Sequence, residues 1–276
     1  MRPITAVIAW IFLVISFSCN NPQAKTSQYS SIKVSTDQAI KKSFPGAVPF
    51  EDYADSLLFF LYTVHNIPQE KILLAQSSCV DDVITTKDDI SNNHVNGPFN
   101  LGGLGGLPFT GITGLNAFAH HVPTGGAALI FVGPHIGYSE KAGWGKIERD
   151  GQDEPSSCCG ALSKALLDLM ENKINKHEPK QEDYQEDVIE QFALEHKDEI
   201  LTSKAPLITF THLIAKESAR QISNMPMGNA HFKHLIIING IIINTDKNHP
   251  DYIFVDKMSV FDLETERELR TMEPRF

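Results

Sequence analysis

Apolar positions along the chain fall into short blocks separated by glycine-rich or charged stretches. From Tyr53 to Val64 their period is helical, with Leu57, Leu58, Leu61 and Val64 on one face. Ile72-Leu73-Leu74-Ala75 is too short for a helix and reads as a buried strand running into Ser77-Ser78-Cys79. Ala127–Val132 and Tyr252–Val255 have the same character, and Leu235–Asn244 is rich in isoleucine on both sides of Asn239-Gly240. Cys159–Met170 and Glu182–Leu201 read as helices, the second with a charged, solvated face. Pro206 suits a break or a first helical position ahead of a helix over Leu207–Arg220. Phe99–Thr113 holds five of the eighteen glycines, too many for a regular helix or strand. Strands early, in the middle and late predict an α/β fold, and continuous apolar strands predict a central sheet covered by helices on both faces.

The start of the chain departs from this pattern. After the basic Met1-Arg2-Pro3, the stretch from Ile4 to Phe17 is almost unbroken apolar sequence and ends at Ser16-Phe17-Ser18-Cys19. Its 14 residues fall short of the roughly 20 that a membrane span needs, and the layout is that of a secretory signal. A cysteine directly after the cut, followed by Asn20-Asn21, resembles a bacterial lipoprotein signal. Residues 1–18 are therefore expected to be a signal peptide and Cys19 the first mature residue and lipid carrier. An ordinary cleaved signal with an incidental cysteine is the other reading. Residues 19–44 read as a polar tether and 45–276 as one domain, large enough for a substantial core. The expected location is the cell envelope or periplasm, on a lipid anchor.

Charge narrows the partners. The chain carries −10 at neutral pH, and loss of Arg2 with the leader takes this to −11. With no basic run, an acidic globule of this kind is a poor partner for nucleic acid or anionic lipid, so membrane attachment falls to the lipid alone.

Three segments carry candidate chemistry: Cys79-Val80-Asp81-Asp82, Phe118-Ala119-His120-His121-Val122-Pro123 and Ser157-Cys158-Cys159-Gly160. Two thiolates and an imidazole are a ligand set that Zn²⁺ favours, and three protein ligands leave a fourth position for water. Zinc in such a site would give hydroxide at neutral pH. Residue type alone leaves bland alternatives open. Cys79 reads equally as a buried small hydrophobe or as a disulfide partner of Cys158 or Cys159. The pair His120-His121 reads as an ordinary loop pair, and His135 in Gly133-Pro134-His135 as a donor to a backbone carbonyl.

The glycine-rich block Asn100-Leu101-Gly102-Gly103-Leu104-Gly105-Gly106-Leu107-Pro108-Phe109-Thr110-Gly111 is followed by Thr113-Gly114 and Ala117–Pro123. After these come Gly133–Gly137, Gly145-Lys146 and Cys159-Gly160-Ala161. In that order these segments resemble the limiting-CO2-inducible B/C family, over about residues 50–265. The family is similar in fold and site to β-class carbonic anhydrases and is also called the θ class. Some of its members are active enzymes, and activity has not been evident for all of them.

The resemblance implies a β-carbonic-anhydrase-like sheet, a Zn²⁺ cofactor, CO2 and bicarbonate as substrates, and a homodimer. It implies Cys79, His121 and Cys159 as metal ligands, Cys158 as a neighbour facing elsewhere, and Asp81 as the carboxylate of a Cys-x-Asp pattern. The β-class pattern would put arginine where this chain has Val83, and Arg149 is the candidate to replace it in an Asp–Arg pair. The glycine block lacks a following Lys-Ser/Thr and reads as a tight backbone wall beside the metal rather than a phosphate loop. Two other functions stay open: a catalytically silent, zinc-containing protein responsive to CO2 or bicarbonate, and a metal-free, disulfide-linked envelope module. The isoleucine runs around Gly240 would be hazardous on an open sheet edge, and burial against a second copy or within the chain's own sheet would remove that hazard.

Overall fold

A computed structural model describes residues 36–84, 95–228, 231–265 and 267–272. The expected signal peptide, Cys19 and the first part of the tether lie outside them.

Among the described residues nine strands form one mixed sheet. Its central parallel part is β2 (Ile72–Ser77), β3 (Asn96–Asn100) and β4 (Ala127–Val132), with β4 parallel in turn to the first half of β9 (His234–Thr245). On the far side of β9, β10 (Tyr252–Asp262) runs antiparallel and is itself paired with β1 (Val48–Pro49) and β11 (Arg267–Met272). The second half of β9 takes a different partner, β5 (His135–Ser139), in parallel register from His135 opposite Ile242 to Tyr138 opposite Thr245. The chain therefore leaves β4 and returns to the same edge of β9 one step further along, with a jog at Gly133-Pro134. A side chain on Gly133 would collide with the Gly240 carbonyl oxygen, so only glycine lets the two backbones pass. The ninth strand, β6 (Gly143–Trp144), pairs with β5, and β7 (Lys146–Ile147) and β8 (Ser156–Ser157) pair apart from the main sheet.

Alternation along the strands sends side chains to two faces. Ile72, Leu74, Leu129, Phe131, Ile236 and Ile238 meet the helix α1 (Phe50–His65) through Leu57, Leu58 and Leu61. Leu73, Ala75, Ala128, Ile130 and Val132 pack with Leu115 and Phe118 of α2 (Gly111–His121) on the opposite face. Helices do cover both faces, as the apolar strands predict.

A second apolar cluster, beside the sheet, is built by α3 (Gly160–Met170), α4 (Tyr184–Glu195), α5 (Lys197–Thr202) and α6 (Pro206–Asn224). The charged helix expected over Glu182–Leu201 is thus two helices, broken at His196, whose backbone leaves the helical region. Among the described residues no helix is long and apolar enough to cross a membrane.

Two sequence expectations change. Residues 36–43 are helical rather than tether, and Ile40 and Phe44 are fully buried with Ile136, Ile241 and Tyr252. Two large apolar residues in an otherwise polar stretch are too few to register as a period, yet they are enough to dock it. The isoleucine run of β9, for its part, has both edges paired within the chain, to β4 and β5 on one side and β10 on the other. It therefore offers no argument for a second copy.

Candidate metal centre

Three ligand atoms converge where the parallel strands end. Cys79 comes two residues after the end of β2, and Gly133 N–H donates to the Ser77 carbonyl at 3.0 Å, which holds the end of β2 to the end of β4. Beyond the jog, His135 opens β5 with no exposed surface. Cys159 comes from the other direction, as the residue that caps the N-terminus of α3. Its neighbour Cys158 is docked onto β5: Gly137 N–H donates to the Cys158 carbonyl at 2.8 Å, and Cys158 N–H donates to Gly145 at 2.9 Å. Gly137 must be glycine here, because a Cβ would run into the Cys158 Cβ and Ile147.

The result is a compact set in which Cys79, His135 and Cys159 each offer one ligand atom, all within 4.8 Å of one another and all buried. The two sulfurs are 3.5 Å apart and unbonded, and Cys79, Cys158 and Cys159 are free thiols. The donor set fits a borderline divalent cation such as zinc. A further observation supports that fit: His135 Nε2 is buried without a hydrogen-bond partner among the described residues, while Nδ1 lies 2.8 Å from Asn244 Oδ1. A buried ring nitrogen left unpaired is costly unless something occupies its lone pair.

Electrostatics point the same way. Sharing a proton with Cys159 lowers the Cys79 thiol to about 4, against the opposing effect of burial and with help from His135. Cys159, which keeps that proton beside Cys79 and is deeply buried, is pushed well up. His135 is pushed up as well: burial lowers it, but the cysteine sulfurs outweigh that loss. Ligands of this kind bind a cation in their deprotonated form, so metal binding at this cluster would be coupled to proton release.

Asp81 stands beside the cluster, its Oδ2 3.7 Å from His135 Nε2. Arg149 grips it with two parallel bonds, Nη1 to Oδ1 at 2.8 Å and Nη2 to Oδ2 at 3.1 Å. The guanidinium is in turn fixed by the Ser157 carbonyl at 2.9 Å, Ser156 Oγ at 3.0 Å and Asp82. Burial pushes the Asp81 carboxyl up, yet the Arg149 bonds and neighbouring charges win and hold it at about 2. Both side chains are only 13% exposed, so this pairing is worth more than a solvated one.

The glycine-rich loop walls the site. Gly102 lies so close to the Ser78 backbone, and Gly106 to Gly133, that neither has room for a Cβ, and Ser77 Oγ donates to the Gly106 carbonyl at 3.0 Å. Leu107 shares an apolar cluster with Cys79 and Cys159, and Phe109 packs against it. A cleft of about 290 Å³ opens onto Cys79 and Asp81 between Gln76, Ser78, Asn100 and Gly102.

The structure brings Cys79, Cys159, Asp81 and Arg149 together. It does not bring His121, the histidine expected as third ligand. His121 lies in the last turn of α2, exposed, with Nδ1 donating to the Ala117 carbonyl at 2.6 Å and its ring against Phe99. Expecting a loop there, sequence reasoning missed the helix that turns this side chain outward. It also missed β5, whose Gly137 breaks any apolar run. The available signal was a histidine directly after a strand-ending Gly-Pro, inside one of the segments that carry the family resemblance.

A cysteine and a histidine beyond the carboxyl ends of parallel strands, a second cysteine at a helix N-terminus and an Asp–Arg pair beside them define an α/β protein with a candidate metal centre. Comparison with known families identifies which one: residues 47–262 match the limiting CO2-inducible proteins B/C beta carbonic anhydrases, and the chain belongs to that family. The fold is similar to the crystal structure of PtLCIB4, a homolog of the limiting CO2-inducible protein LCIB, with a TM-score of 0.73 at 24% identity. That alignment covers 85% of this chain and 99% of the other. LCIB itself aligns with a TM-score of 0.60 at 19% identity, over 84% of this chain and 100% of that one. At these identities the likeness is one of fold. A search of curated proteins found no match.

Proposed function

We propose that this chain is a zinc-dependent carbonic anhydrase that interconverts CO2 and bicarbonate, with Cys79, His135 and Cys159 holding the metal. The observation that carries the reading is the unpaired, buried Nε2 of His135, facing two cysteine sulfurs beside an arginine-held carboxylate. Zinc, when bound, supplies hydroxide at neutral pH by acidifying a water.

The protein's own groups do the rest. Arg149 occupies one lone pair of each Asp81 oxygen, which keeps the carboxylate ionised and out of the ligand set. Val83 N–H takes the second lone pair of Oδ1, and the one left on Oδ2 can accept a hydrogen bond from the nucleophile and so orient it toward the substrate. The Gly102–Gly106 wall and Leu107 exclude bulk water from the cluster, and an apolar wall suits a small non-polar gas. Larger clefts occur elsewhere, one of about 560 Å³ beside His177 and Phe192, but a triatomic substrate needs no such volume and the reactive groups are not there.

Export and lipidation of Cys19 are proposed on the leader pattern, and mass spectrometry of the mature N-terminus tests them. A homodimer is proposed on the family resemblance alone; light scattering that gives a monomer mass at micromolar concentration would reject it. For the metal, elemental analysis after mild purification should find zinc at about one per chain. A fully active, metal-free protein would overturn the reading.

A further inference from the structure

Behind the candidate ligand His135 lies a side chain that the sequence reading passed over. Asn244, near the end of β9, is 1% exposed. All of its hydrogen-bonding capacity is used, and the partners dictate which end of the amide is which. Its Nδ2 donates to Asp251 Oδ2 at 2.7 Å and to the Val83 carbonyl at 2.9 Å, both of which can only accept. Oδ1 is therefore the atom that faces His135 Nδ1 at 2.8 Å, and the ring nitrogen must be the donor. The Cys158 sulfur lies 3.7 Å from the same oxygen, to which its thiol can donate, and 3.4 Å from His135 Nδ1. Asp251 is anchored in turn, accepting from Thr245 N–H at 2.9 Å.

We propose that Asn244 is the positioning residue of the metal centre: its carboxamide, locked by Asp251 and the Val83 carbonyl, fixes His135 as an Nε2 ligand. The inference rests on the zinc reading above. It goes further in linking two parts of the site, because the Val83 carbonyl belongs to the loop that carries Asp81, and Val83 N–H itself faces Asp81 Oδ1 at 3.4 Å. One amide thus sets both the ring orientation of the ligand and the seat of the carboxylate. It also accounts for Cys158, which serves as a thiol donor behind the histidine and not as a ligand. A partner of this kind behind a metal-binding histidine is worth roughly 10- to 100-fold in affinity.

The test uses the full chain loaded with Zn²⁺ or Co²⁺, with affinity read by chelator competition and geometry by the visible absorption of the Co²⁺ form. Asn244→Leu, which keeps the volume and removes the amide, should lose about 10- to 100-fold in affinity and shift the Co²⁺ bands. The double variant Asn244→Asp with Asp251→Asn restores an acceptor opposite His135 Nδ1 and a donor beside it. It should recover most of the affinity and the wild-type spectrum, and it decides the matter if Asn244→Leu does not fold. Wild-type affinity and spectrum in Asn244→Leu, or a folded double variant that binds as weakly as a chain lacking His135, overturns the inference. A wild-type chain that binds either ion but does not hydrate CO2 overturns the enzymatic reading and leaves the inference standing. A wild-type chain that binds neither ion overturns both.

Discussion

His121 ends α2 in solvent, its Nδ1 donating to a carbonyl one turn back and its Nε2 free to meet water. His135 opens β5 without exposed surface, its Nδ1 committed to a buried amide and its Nε2 aimed at two sulfurs. The first ring gains nothing from a metal, because water already satisfies it. The second carries a buried ring nitrogen with no hydrogen-bond partner among the described residues, and a cation would relieve that cost. What separates a candidate ligand from a bystander here is the cost of leaving the nitrogen unpartnered, which burial and the hydrogen bond at the other ring nitrogen set together.

The largest expected effect breaks or confirms that contrast directly. His135→Ala should weaken zinc binding by more than about 100-fold, beyond what loss of an outer partner costs, while His121→Ala should stay within about twofold of wild type. Chelator competition on the two variants reads both numbers, and the reverse order would restore His121 as the ligand. The cysteine pair sharpens the same contrast at adjacent positions. Cys159→Ser should release zinc, whereas Cys158→Ser should retain it with a modest loss of affinity; elemental analysis distinguishes them.

On the proposed function, in which the carboxylate orients the nucleophile and does not hold the ion, Asp81→Asn should keep zinc and lower CO2 hydration by about 10²- to 10⁴-fold. Zinc loss equal to that of Cys159→Ser would instead make Asp81 a ligand. The smallest effect is expected from Val83→Arg. Arg149 already holds both Asp81 oxygens, so hydration should change by less than about threefold, the scale of a substitution that adds no new transition-state contact. A large gain would show that the Asp81–Arg149 pair is a poor substitute for the β-class arrangement.

Much of the scaffold was legible from the chain because it depends on local period. The strands Ile72–Ser77 and Ala127–Val132, and the helices after Gly160 and Pro206, are short blocks whose burial follows from composition. Cys79 and Cys159 could be singled out because each sits at a strand or helix end within a recognisable motif. His135 and Asn244 could not be paired in advance, since they meet only when β5 docks on the second half of β9. That register depends on Gly133 passing Gly240, a contact between backbones that leaves no mark in hydrophobic pattern. Arg149 was a candidate by elimination, being one of few arginines; its bidentate geometry on Asp81 is a property of the fold.

The most direct test of the whole account is stopped-flow CO2 hydration by the purified chain, titrated with Zn²⁺. The account predicts a hydration rate that rises in proportion to bound zinc and saturates near about one zinc per chain. Zinc bound at that ratio through Cys79, His135 and Cys159, with hydration no faster than in buffer across neutral and alkaline pH, would contradict it.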